Sequence, residues 1–513
     1  MGLIERLFPL WALRREVARK QLERLYDAAQ PSTQRKARTD IRSGNAVMDQ
    51  AQGSLRRQAR YLDENHDLVV GILDTLVQRI VGTGIIVEPM IKTKGGKLAT
   101  KVNQQIRRAW REWGRRADAS TMYPWGELQR QACLHWLRDG EVFAQHVEGA
   151  KATTSLGVPY MVELIEADYC PFNLNQANGA ARVVQGVQVA GWNRPVGFWF
   201  YIQHPGESTG IGATLSSDVK FVPADQIIHL RYTRRLHQFR GVPILHAVLT
   251  RLEDIRDYEE SERIAARVAA AFCAYIKRGS DFSGAASIAA GDRAMEMQPG
   301  MIFDNLLPGE EVGTISTDRP NSGLEGFRAG QLRAVAAGTK TNYSSIAKNY
   351  DGTYSSQRQE LVESRGGYDI LRQLFVDVFV SEIYRRWLPL AIAAGVVNTK
   401  GTDPATLFDA DYRGPGIPWI DPLKETQAEA LQVEKGFKSR HQVIREHGND
   451  PIVVDEQLAD DDFEPKQPAA PASSSASPPP DQPPGDPGDE DPPDPADRSG
   501  GALIAFGGGR RVT

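Results

Sequence analysis

Three acids lie close together in the run Glu163-Leu164-Ile165-Glu166-Ala167-Asp168, and they are the residues of this chain that could hold a divalent cation. A metal bound by Glu163, Glu166 and Asp168 would suit phosphodiester hydrolysis, the chemistry of a metal-dependent DNA-processing enzyme. No companion His or Asp motif accompanies them, and a solvated strand edge is the plainer reading. Other signatures of catalysis are missing. Lys94-Gly95-Gly96-Lys97-Leu98 lacks the leading Gly and the Ser/Thr of a phosphate-cradling Walker A loop. There is no Gly-x-Ser-x-Gly elbow, His-Glu-x-x-His pair or helix-opening Gly-x-Gly-x-x-Gly. The nine His are scattered, and His441 and His447 are too far apart in phase to share a helix face. The expectation is a protein without catalysis, cofactor or metal.

A different chemistry is offered by residues 338–358, GTKTNYSSIAKNYDGTYSSQR. Hydroxyls, amides and isolated cations fill this stretch, and it lies between two segments of helical periodicity, 326–337 and 359–387. Its groups suit transient contact with a polyanion better than bond making. A plain surface connection is the alternative.

Composition limits the partners. The 61 Lys/Arg against 65 Asp/Glu leave a net charge of −4, so the chain as a whole is no strongly basic nucleic-acid binder. Hydrophobic content of 41% and charged content of 25% are ordinary for a soluble domain. Cys133, Cys170 and Cys273 are few, odd in number and far apart, which fits buried thiols in a reducing compartment rather than disulfides. The N-terminus has no cleavage pattern after its short apolar part. The longest apolar run, 387–397, is about half of a membrane span. A soluble intracellular protein is expected.

The elements that must position these groups read as α+β. An amphipathic helix is expected to about residue 27, within a basic segment 1–60, and a second helix over 54–84 ending at Gly82-Thr83-Gly84. Helices follow near 101–113 and 125–139. Residues 141–235 change to short β-branched and aromatic runs, a mainly antiparallel sheet with a turn at Trp192-Asn193-Arg194-Pro195. Residues 243–277 contain no Gly or Pro after Pro243 and predict one helix of roughly 50 Å. Its middle, with Arg251, Glu253, Arg256, Glu259, Glu260 and Arg263, is too polar for a core helix and suits packing beside copies of itself. Residues 279–320 read as loops and short strands, and helices return to about 462. Twelve of the 31 prolines then fall between Pro465 and Pro495, so this tail is expected to be disordered.

These elements together resemble the lambda-type family of phage portal (head–tail connector) proteins. The resemblance rests on Tyr26-Asp27-Ala28-Ala29, and on 55–62 leading to the glycine turn at 80–85. It rests also on Leu137-Arg138-Asp139-Gly140-Glu141-Val142-Phe143, on 222–229 followed by Arg240-Gly241-Val242-Pro243, and on Thr353-Tyr354-Ser355-Ser356-Gln357-Arg358. The last resembles the family's Asn-Tyr-Ser-Ser-x-Arg, with Thr in first place. Order and spacing, over most of residues 1–460, carry the likeness.

The resemblance implies a portal fold built into a dodecameric ring at one capsid vertex of the virion, formed in the host cytoplasm during assembly. Residues 1–242 would be N-terminal helices and wing, 243–277 the first stem helix, 278–321 the clip and 322–338 the second stem helix. Residues 339–358 would be the tunnel loop, 359–462 the completed wing and crown, and 463–513 the Pro/Asp-rich tail. The stem residues named above would lie between subunits. Lys340, Asn342, Tyr343, Lys348, Asn349, Tyr350, Tyr354, Ser355, Ser356 and Arg358 would face double-stranded DNA without sequence specificity. Implied partners are the terminase large subunit, the major capsid protein and head-completion or adaptor proteins, with no membrane anchoring. A conduit must let DNA slide, and each phosphate neutralised adds affinity, so sparse cations suit it better than a basic grip. A scaffold of another kind that never touches DNA is the remaining alternative.

Overall fold

A computed structural model of the chain describes residues 40–153, 157–178, 181–207, 218–270, 274–278, 310–314, 323–416 and 422–461. The chain divides into two units, 1–454 and 455–513. The expected N-terminal helix, most of the expected clip and the Pro-rich tail lie outside the described residues.

Helix α1 (Gly44–Asn65) opens under an N-cap from Ser43, whose Oγ accepts the Ala46 N–H at 3.2 Å. It does not run on to residue 84. The chain turns extended at His66 (φ −133°, ψ 110°) and restarts as α2 (Asp67–Ile80). His66 is buried, with Nε2 3.2 Å from the Leu252 carbonyl and Nδ1 3.2 Å from the Asp67 carboxylate. No Gly or Pro marks this break; a contact with a distant helix holds it. Gly82, at φ 61°, begins the predicted glycine turn.

After β1 (Ile86–Pro89), helices α3 (Thr100–Gly114) and α4 (Trp125–Asp139) fall where periodicity puts them. Their buried stripe is aromatic. Trp110 lies 4.6 Å from Trp113 and 4.9 Å from Trp387, and Trp125 stacks on Phe379 at 5.8 Å. The predicted antiparallel region forms two sheets. One contains β2 (Glu141–Thr153), β3 (Pro159–Ile165) and the later β9, in the order β3-β2-β9. The other is a meander of β4 (Gln176–Asn178), β5 (Ala181–Val184), β6 (Val187–Val189), β7 (Pro195–Tyr201) and β8 (Val219–Pro223). Strand β9 is Ile227–Arg231. Phe143, Phe198, Phe200 and Val222 form a second core cluster. The turn predicted at 192–195 joins β6 to β7, with Trp192 and Asn193 both at positive φ.

The expected helix over 243–277 is shorter. A 3₁₀ turn at Ile244–Ala247 precedes α5 (Leu249–Ala270), and β10 (Ala274–Arg278) follows, paired antiparallel with β11 (Glu310–Thr314). Twenty-two residues give α5 about 33 Å rather than 50. The strand-competent Tyr275-Ile276 lies in β10, where a partner strand takes its backbone hydrogen bonds. Helices α6 (Leu324–Thr339), α7 (Tyr343–Ala347) and α8 (Tyr354–Phe375) come next; α8 passes through a π turn at Val376–Val380 into α9 (Ser381–Ala393). Strand β12 (Ala410–Arg413) pairs antiparallel with β1, before α10 (Pro422–Glu434), α11 (Arg440–Glu446) and α12 (Pro451–Asp460). Cys133 and Cys170 are buried thiols; Cys273 lies outside the described residues. Among the described residues no helix is long and apolar enough to cross a membrane.

Candidate nucleic-acid interface

Helices α5 and α6 pack antiparallel. Arg251 Nη1 donates to Gln331 Oε1 near one end, and Tyr258 meets Phe327 at 5.0 Å further along. Arg328 Nε bonds Glu259 Oε1 at 2.6 Å. Gly338 permits the closest approach, because a Cβ there would lie 2.5 Å from Val248 Cγ1. Three of the six polar residues expected between subunits, Arg251, Arg256 and Glu259, are engaged inside the chain. Arg256 lies over the Tyr61 ring at 5.7 Å and bonds Asp257. Glu253 is half-buried, while Glu260 and Arg263 face solvent.

Residues 339–358, expected as a loop, begin with the last residue of α6 and are built around a short helix. Lys340 ends α6 in the left-handed conformation (φ 60°), its N–H bonded to Ala336 O, and its Nζ lies 5.6 Å from the Tyr232 ring. Asn342 accepts from Tyr368 Oη at 3.1 Å. Tyr343 lies under Arg333 at 5.1 Å, and Glu360 accepts from both the N–H and the hydroxyl of Ser344. This first half is fastened to the body of the chain. Lys348, again left-handed (φ 52°), ends α7. Asn349 then folds back on the Asp351 N–H, and Thr353 caps α8 at Ser356 N–H. Lys348, Tyr350, Ser355, Ser356 and Arg358 are exposed, and Asn349 is half-exposed. Tyr354 begins α8. The ten residues expected to face DNA thus divide: Lys340, Asn342 and Tyr343 serve packing, and the exposed set clusters over 348–358.

A buried charge cluster, missed in the sequence, fixes the start of this assembly. Glu141 opens β2 directly after Gly140, the left-handed cap of α4 (φ 90°). Its fully buried carboxylate accepts from Gln52 Nε2, Arg56 Nη2 and Arg240 Nε, each at 2.9 Å, from His229 Nε2 at 3.0 Å and from the Gly241 N–H at 2.9 Å. Arg240 spends its remaining donors on the carbonyls of Ala167, Cys170 and Gln185. Gly140 and Gly241 cross so tightly that a Cβ on Gly241 would stand 1.9 Å from Gly140 O. One residue earlier, buried Asp139 takes Arg60 through two bonds of 2.9 Å, with Arg138 and His135 beside it. Burial alone would raise both carboxyls. The bonds of His135, Arg60 and Arg138 hold Asp139 far below the usual carboxylate range, and Arg240, His229 and Arg56 do the same for Glu141. The available signal was Arg56 and Arg60, four apart among Leu55, Ala59 and Leu62 on an otherwise buried face.

The profile of the lambda family of phage portal proteins matches residues 30–372. That span is well over half of the sequence and contains the helix pair, the 340–358 segment and the Glu141 cluster. The chain belongs to the lambda family of phage portal proteins. A probable portal protein of Halomonas phage phiHAP-1 is 23% identical over 487 residues, covering 90% of this chain and 92% of that protein. Portal protein B of Escherichia phage lambda is 22% identical over 242 residues, 42% of this chain and 45% of its own length. Among solved structures, the neck of a native gene transfer agent particle, computed with C12 symmetry, covers 78% of this chain and 94% of its own at 14% identity and TM-score 0.41. An HK97-family portal protein from Corynebacterium diphtheriae covers 71% and 99% at 13% identity and TM-score 0.30.

For this portal chain the acidic run has a structural use. Glu166 and Asp168 come together with His204, their ligating atoms within 4.8 Å of one another. Glu163 is not with them; it is exposed on β3 opposite Gln145. The arginines of α1 already occupy the site, Arg60 Nη2 at 2.5 Å and Arg56 Nη1 at 3.3 Å from Asp168. These are ion pairs that tie the turn after β3 to α1.

The portal fold should also lose stability in mild acid. Burial, only partly offset by Glu141, holds His229 down to about 4. His146, bonded to Tyr160 Oη at 2.7 Å, is likewise held to about 4, by burial and then by Arg386. The unfolded chain takes these protons near pH 6.5, whereas the folded chain resists until about 4, so stability declines as pH falls between those values. Urea unfolding at stepped pH should show a loss on the order of 3 kcal/mol per histidine. His229→Gln, which keeps a donor to Glu141, should flatten the profile; an unchanged slope would contradict the assignment.

Proposed function

We propose that copies of this chain assemble into a ring, dodecameric by the resemblance, at the unique capsid vertex, through which double-stranded DNA is packaged and ejected. The observation that carries the reading is the antiparallel α5–α6 pair, from whose end the chain leads through the fastened turn and α7 to an exposed polar segment with Lys348, Tyr350 and Arg358. In a ring this segment is repeated around the axis. Its sparse cations give weak contacts to backbone phosphates that re-form as DNA moves, independent of sequence. The exposed Glu260 and Arg263 of α5 remain free to meet a neighbouring subunit. Residues 278–321 form the clip that docks the terminase large subunit and later the head-completion or adaptor proteins, and the wing meets the major capsid protein. Assembly takes place in the host cytoplasm. The chain itself catalyses nothing in this scheme, since terminase supplies ATP hydrolysis.

Negative-stain microscopy with native mass determination on purified protein tests the proposal. Rings with a central hole and a mass near twelve times the 56.7 kDa chain, about 680 kDa, are expected. A ring one or two subunits larger or smaller keeps the reading; a folded monomer or dimer across salt and concentration ends it.

A further inference from the structure

One surface of the wing is built unlike the rest. Trp192, at the tip of the β6–β7 hairpin, is 101% exposed, and Leu236 and Ile41 are 90% and 99% exposed. Hydrogen bonds join the three segments that carry them. Asn193 Nδ2 donates to His237 Nδ1 at 3.4 Å, the Asn45 side chain bonds His237 O and Phe239 N–H at 2.9 Å each, and Arg235 Nη1 donates to Arg42 O at 2.8 Å. Three non-glycine residues here take left-handed backbone: Trp192 (φ 64°), Asn193 (φ 57°) and His237 (φ 58°). A bulky aromatic rarely adopts that conformation, and the local bonding holds it so that the indole projects into solvent.

Charge around this knob is mostly positive. Exposed Arg42, Arg182, Arg194, Arg234 and Arg235 lie on the same segments, with Asp40 as their one acid. The sequence holds no Asp or Glu from 170 to 206, nor from 226 to 252. An apolar centre carrying Trp, inside a rim of arginines, has the composition of a protein-binding hot spot. Nucleic acid is the poorer match, because a phosphate backbone wants the cations at the centre and leaves Ile41, Leu236 and Trp192 in water.

We propose that this face docks an acidic segment of a protein partner that inserts aliphatic or aromatic side chains around Trp192. The acids pair with the arginine rim and the apolar groups cover the knob. The inference is independent of ring formation and of the DNA-facing segment.

The test is a titration of the full-length protein with three probes: a synthetic peptide alternating glutamate with leucine and phenylalanine, poly-glutamate of equal charge, and a short DNA duplex. The peptide is expected to bind about tenfold or more tightly than poly-glutamate and to shift tryptophan emission to the blue. Trp192→Phe should abolish that shift while binding persists. Leu236→Ser and Arg194→Glu, both at exposed sites, should each weaken the peptide about tenfold. Equal binding of peptide and poly-glutamate, or a duplex that binds more tightly than the peptide, overturns the proposal. So does peptide binding that Leu236→Ser and Arg194→Glu leave unchanged, or no binding of the peptide at all.

Discussion

Glu141→Ala is expected to destabilise the chain by about 3–5 kcal/mol, the usual loss when one partner of a buried ion pair is removed. The carboxylate is fully buried and receives two arginines, a histidine, a glutamine and a backbone N–H. Without it, Arg56 loses its closest partner and Arg240, wholly inside the protein, keeps its charge with only carbonyls hydrogen-bonded to it. The damage should extend beyond the sheet that β2 belongs to. Gly241 is held by the same carboxylate and leads through Pro243 into α5, so the start of the helix pair loses its anchor. Equilibrium unfolding in urea measures the loss, with Glu141→Gln as a variant that keeps shape and removes charge. A cost below about 1 kcal/mol for the alanine variant would mean that the network is redundant.

The second large effect concerns DNA. Lys348→Glu combined with Arg358→Glu replaces two exposed cations by two anions in every subunit of the proposed ring. Rings should form as before, because neither side chain is buried in the described fold. Packaged DNA should fall about tenfold or more, since phosphates sliding past would meet repulsion where weak attraction stood. Lys340 provides the contrast. It is half-buried against Tyr232, so Lys340→Glu should cost folding stability first. Normal packaging in the double variant, with intact rings, would remove the 348–358 segment from the channel.

Much of the architecture was legible in the chain. Periodic apolar residues placed α3, α4, α6 and α8, and alternation with Gly, Pro and Asn placed the antiparallel sheets. The motif Leu137-Arg138-Asp139-Gly140-Glu141 was visible, and Gly140 plainly marked a turn between helix and strand. What the two acids beside it do was not, because their partners come from Arg56, Arg60, His229 and Arg240, far away in sequence. The role of the acidic run at 163–168 was hidden for the same reason. As a string it suggests a metal, yet the fold sets Glu163 on another face and fills the site with guanidinium groups.

Sequence by itself determined the family, the α+β class and the order of elements, since local periodicity, turn chemistry and motif spacing are written along the chain. Tertiary structure decided where helices break and which polar groups are free. His66 interrupts a helix without Gly or Pro because it reaches the carbonyl of Leu252. The segment 340–358 splits into a fastened half and an exposed half because Glu360, Tyr368 and Tyr232 claim the first. Such choices turn on the free energy of burying or pairing a group against a distant neighbour, and no local window of sequence contains that neighbour.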